Sequence, residues 1–110
     1  MITINVNYIE KRIRELKKYF ENRKDEIVKR IREGYKVKSL DDAVQDVLAD
    51  VQMDLCERGR CYEAFLIWYS IDEKQDKYVV SFVLNVWYPR AESVPYFVDK
   101  VKLLEFYVKK

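Results

Sequence analysis

Two glycines and two prolines are all that punctuate this chain of 110 residues. Glycine reaches positive φ without a steric clash and proline presets φ, so these two residues build most tight turns. A chain so poor in both must run in long elements joined by few loops. The same scarcity excludes a phosphate-cradling loop of the Walker or dinucleotide type, because each needs several glycines close together. Histidine is absent, which removes Ser-His-Asp and Cys-His nucleophile systems, the usual zinc sites and a histidine pH switch. With 49% hydrophobic and 36% charged residues, the composition is that of one folded domain spanning residues 1–110. No apolar run approaches the roughly 20 residues that cross a bilayer, and no signal peptide opens the chain. The expected location is therefore the cytoplasm, with no membrane partner.

Hydrophobic spacing divides the chain into elements. Ile2, Ile4 and Val6 alternate with polar residues, as in a short strand or an extended arm. Asn7 has the character of an N-cap, with Glu10 three residues on to close a capping box. Ile9, Ile13, Leu16, Phe20, Ile27 and Ile31 then recur at helical spacing up to Gly34, the natural C′ residue. The stripe lapses at Asn22–Asp25, where a bend is possible, but the spacing predicts one long helix. A second helix is capped by Ser39, carries Asp41 and Asp42 at its positive end, and buries Leu40, Val44, Val47, Leu48, Val51 and Leu55. It ends near Cys56, with Gly59 free to reverse the chain.

After Cys61 the residues turn β-branched and aromatic. Tyr62–Ile71 and Lys77–Tyr88 read as strands joined by a polar hairpin loop at Asp72–Asp76, and Pro89 ends the second. The tail from Ser93 is ambiguous: Val101, Leu103, Leu104, Phe106 and Val108 fit a third strand slightly better than a helix, but Phe97, Val101, Leu104 and Val108 also fit a helical face. The expected fold is α+β, with two N-terminal helices packed on a small antiparallel sheet of about three strands.

Four features bear on function. The first is the sheet, which is apolar on both faces. Tyr62, Ala64, Leu66 and Trp68 share one face of the first strand, and Phe65, Ile67, Tyr69 and Ile71 the other. Two helices cover one face, so the other is expected to form a homodimer or dock on another protein, with Trp68 and Trp87 as contact residues. Base stacking by the aromatics would need basic residues between them, and these two strands contain only Lys77.

The second is the row Asp42, Asp46, Asp50 and Asp54, at i,i+4 spacing along the second helix. Its like charges repel, so it is either paired with bases such as Lys11, Arg14, Lys17 or Lys18 or held as a docking surface for a basic partner. Residues 39–63 carry 2 basic and 7 acidic groups, against 12 and 6 in residues 1–38. The third is Cys56-Glu57-Arg58-Gly59-Arg60-Cys61. The two cysteines are a disulfide, free thiols, or half of a dimer's four-thiolate metal site. The fourth is the basic first helix. With Arg58 and Arg60 it offers Lys11, Arg14 and Lys18 as nucleic-acid contacts, although the interleaved glutamates also suit a salt-bridged surface.

Abundant Lys, Glu, Ile, Val and Tyr with few Gly, Ala, Gln or Asn suit a hot habitat. In size and general arrangement the chain resembles small proteins of the rod-shaped and filamentous viruses of hyperthermophilic archaea, without sharing a motif. Some of those are anti-CRISPR proteins, so the resemblance implies an anti-defence inhibitor that contacts a host protein or ribonucleoprotein complex. The expectation is a non-enzymatic binding protein without cofactors, using the acidic row and the exposed aromatics. The runner-up is a small nucleic-acid-binding regulator. A metal-dependent nuclease on the aspartate row ranks last, because its carboxylates spread along one helix rather than converging.

Overall fold

The computed structural model describes residues 6–89 and 96–110, with side chains described for 8–86 and 99–110. The expected arm at residues 2–5 and the side chain of Trp87 lie outside the described residues. The first helix, α1 (Val6–Tyr35), is one element of 30 residues and runs straight through Asn22–Asp25. No apolar residue is needed there, because Arg23 lays its guanidinium 3.9 Å from the centre of the buried Tyr19 ring. Asn7 falls inside the first turn rather than ahead of it.

Gly34 is likewise inside α1 and does not cap it. A Cβ at this position would lie 3.0 Å from the Cβ of Ala43, so the residue is small to let two helices approach. The helix ends instead in overlapping turns, with Lys36 N–H bonded to Glu33 O and both Val37 and Lys38 N–H to Gly34 O. The neighbour it approaches is α2 (Leu40–Glu57), whose Asp42 N–H donates to Ser39 Oγ at 3.1 Å as the capping pattern requires. At the other end Arg60 N–H bonds Leu55 O, Gly59 N–H bonds Cys56 O, and Gly59 adopts φ 77°. This is a Schellman closure, and here glycine's left-handed freedom is used.

The strand expected from Tyr62 begins later. Cys61–Phe65 forms a short helix, α3. The Cys56–Cys61 disulfide holds its start against the end of α2. Gln52 Nε2 donates to Ala64 O, and Ala64 is fully buried. These tertiary ties outweigh the strand tendency of Tyr62 and Phe65. The face assignment made for residues 62–66 therefore fails.

Three antiparallel strands follow, β1 (Ile67–Glu73), β2 (Lys77–Pro89) and β3 (Tyr96–Lys109), in the order β1-β2-β3. The tail is a strand. Phe82 pairs with Leu104 but Val83 with Lys102, so Leu103 bulges from β3, and Leu103 and Leu104 are both buried. Ile67, Val80, Phe82, Leu84, Leu104, Phe106 and Val108 face the helices and join Leu16, Phe20, Ile31, Val44 and Leu55 in the core. The opposite face is not apolar throughout, contrary to the expectation of a sheet apolar on both faces. Trp68, Val79, Val83 and Tyr107 share it with Ser70, Ser81, Lys102 and Glu105, and Lys102 pairs with Glu105 at 2.9 Å. The structure is an α+β fold with helices packed against a three-stranded antiparallel sheet.

Candidate functional site

β1 stops pairing with β2 at Ile67–Leu84, whereas β2 runs on to Pro89 beside β3 alone. Above this extension lies the N-terminal half of α1, and α3 closes the side. Between them is a cleft of about 230 Å³. Tyr8, Ile9, Arg12, Ile13 and Leu16 form its roof, since positions three and four apart share a helix face. Leu84 and Val86 form the floor, and Tyr62, Glu63 and Leu66 the side wall. Asn85 fixes the join: its backbone N–H and its Nδ2 both donate to Leu66 O, at 3.0 and 3.3 Å.

Of the charged groups at the cleft, Arg12 and Glu63 are committed to each other, while the buried Arg60 Nε has no hydrogen-bond partner among the described residues. Arg12 Nε donates to Glu63 Oε1 at 2.6 Å. Arg60 folds in behind, donating to Arg12 O at 3.2 Å and lying 3.8 Å from Glu15 and 3.9 Å from Glu63. Burial works to lower the Arg12 pKa, but the Glu63 hydrogen bond and charge outweigh it and raise it above the ordinary value. Arg12 thus stays cationic with its charge satisfied, and the surface left to a ligand is apolar. Tyr8 and Tyr62 stand exposed at the mouth.

The residues singled out from sequence fall elsewhere. Asp46 pairs with Lys38 and Asp50 with Arg30. Asp54 accepts from the Tyr19 hydroxyl at 2.5 Å and from Arg58 Nε at 3.1 Å, with Arg23 at 3.9 Å. Three of the four aspartates therefore have intramolecular partners, which lie on α1 and the flanking turns rather than at Lys11, Arg14, Lys17 or Lys18. Asp42 is exposed in the first turn of α2. Trp68 is 54% exposed on the sheet face away from the helices. Arg58 pairs with Asp54 but stays exposed, Arg60 is drawn in behind the cleft wall, and Lys11, Arg14 and Lys18 are exposed on α1. Cys56 and Cys61 are bonded to each other, which leaves neither as a free thiol. Among the described residues, no three Cys, Asp or Glu side chains converge as a metal site would require.

Sequence reasoning missed the cleft itself. Arg12 and Glu63 are 51 residues apart, and Tyr62 and Glu63 were assigned to a strand; no periodic signal joins them. No family model, curated protein or solved structure matches the chain.

Proposed function

We propose that this protein is a non-enzymatic binding protein that works by stoichiometric contact, and that the cleft under α1 takes one apolar anchor side chain of a partner protein. The observation that carries the reading is the cleft's wall. Its lining arginine and glutamate, Arg12 and Glu63, are bonded to each other, leaving Ile9, Ile13, Leu66, Leu84 and Val86 to meet a ligand. At about 230 Å³ it falls below the roughly 300–1,000 Å³ of clefts that enclose drug-sized ligands. It suits a single inserted Leu, Phe or Trp, the residue-in-pocket arrangement typical of interface hot spots. An anti-defence accessory protein of the anti-CRISPR kind would act in this way, occupying a host protein or ribonucleoprotein complex without turning it over.

Panning a displayed peptide library on the folded protein tests the reading. Selected peptides should share one large apolar anchor and should perturb the Leu84 and Val86 methyl resonances. Tyr62→Glu, at the exposed mouth, should lose them with an unchanged circular dichroism spectrum. Peptides without a common anchor, or with affinity indifferent to Tyr62→Glu, would remove the cleft from the account.

A further inference from the structure

Asn85 N–H bonds Leu66 O, and Lys74 N–H bonds Lys77 O. With the register of β1 on β2, these bonds fix which residues face inward. Even-numbered residues of β1 hydrogen-bond to β2, so the odd-numbered ones turn their backbone N–H and C=O groups the other way; Ile67 is buried there, and Tyr69 and Ile71 face the open side. Among the described residues, nothing pairs with them. We propose that this edge of β1 binds the same edge of a second copy, forming a two-fold dimer with a continuous six-stranded sheet.

Three observations favour a second copy as the occupant. The middle of the edge's flank is free of charge, in a chain that is 36% charged. On α2, Gln45, Ala49 and Met53 are exposed between Asp41, which accepts from the Tyr69 hydroxyl at 3.1 Å, and Glu57, and Phe65 and Trp68 are exposed as well. The two acids of β1 are neutralised at home, Asp72 by Lys74 at 3.0 Å and Glu73 by Lys110 at 2.9 Å. An antiparallel pairing centred on Ser70 is also self-consistent. It sets Tyr69 against Ile71, Trp68 against Asp72 and Ile67 against Glu73, so no two like charges oppose. Because both helices lie on one face of the sheet, a two-fold axis normal to it keeps both helical layers on the same side.

Ser70 would then meet its own copy as a non-hydrogen-bonded pair, with Cα atoms about 4.5 Å apart, within reach of a disulfide. The native cysteines are bonded to each other, so a cysteine introduced by Ser70→Cys has no competing thiol. Sedimentation of the wild-type protein should give twice the 13.4 kDa chain mass. Mild oxidation of the Ser70→Cys variant should give a covalent dimer on a non-reducing gel, and Glu105→Cys on β3 should not. A wild-type chain that sediments as monomer up to high micromolar concentration would overturn the proposal. So would a Ser70→Cys variant that cross-links no faster than Glu105→Cys.

Discussion

The two edges of the sheet are built on different plans. β3 is 14 residues long and lines its exposed positions with Lys100, Lys102, Glu105 and Lys109. Arg32 reaches from α1 to donate to Tyr107 O at 2.9 Å, occupying one carbonyl that points away from β2. β1 is seven residues long, carries no lysine or arginine, and has Trp68 and Phe65 exposed beside it. An open strand edge is a template for unwanted pairing, and charge along it is the common protection. The long edge has that protection along its length; on the short one charge is confined to Asp72 and Glu73 at the hairpin end, each paired with a lysine. The cleft repeats the contrast: Arg12 and Glu63 satisfy each other, and the surface facing outward is mostly apolar. Both proposed contact surfaces lie where charge is sparse or tied down, and the aspartate row, despite its density, is mostly tied down.

Ser70→Lys gives the comparison its hardest test, because it moves the chemistry of β3 onto β1. Two lysines would meet on the two-fold axis, and like-charge juxtaposition costs several kcal/mol. The dimer dissociation constant, measured by sedimentation equilibrium, should rise by at least roughly tenfold, whereas Glu105→Lys should leave the mass unchanged.

Removing the disulfide acts next, since it ties α3, and with it Phe65 beside β1, to the end of α2. Cross-linking residues five apart stabilises by about 2 kcal/mol through loop entropy. Cys56→Ser with Cys61→Ser should lower unfolding free energy by about that much in a urea titration. It should weaken association through β1 without making β3 sticky.

The smallest effect belongs to Tyr19→Phe, remote from both edges. Burial first, and then the hydrogen bond to Asp54, push the Tyr19 hydroxyl up to about 12 from its ordinary 10.0. The same hydrogen bond is the main cause holding the Asp54 carboxyl below its ordinary 3.8. The tyrosine's raised pKa contributes stability that is complete below about pH 10 and is lost as pH climbs through 12. The aspartate's lowered pKa contributes stability that is complete above about pH 4 and is lost as pH falls further. Tyr19→Phe should cost about 1 kcal/mol at neutral pH, flatten both limbs of the stability–pH curve, and leave the mass unchanged.

Much of this fold was legible in the sequence because it follows local rules. The Ser39 cap, the stripe from Leu40 to Leu55, the polar hairpin after β1 and the alternation in β2 each reflect interactions within a few residues. The misreadings share a different cause. Glycine near a helix end usually caps it, but the smallness of Gly34 serves Ala43 on another helix. Tyr62–Phe65 carry strand-like residues, yet the bond from Cys56, the buried Ala64 and Gln52 make them a helix. The bases that pair with the aspartates were sought on the first half of α1, while Arg23, Arg30 and Lys38 supply them. The cleft depends on Arg12 meeting Glu63, and the open edge depends on which strand ends the sheet; neither leaves a periodic trace.

Amide hydrogen exchange compares the two edges residue by residue in one sample. The account predicts that the outward amides of Tyr69 and Ile71 exchange slowly at concentrations that hold the dimer and quicken on dilution or in Ser70→Lys. The outward amides of Glu105 and Tyr107 on β3 should exchange fast under all these conditions. If the β1 amides exchange as fast as those of β3 at every concentration, the short edge is not a pairing surface and the account is wrong.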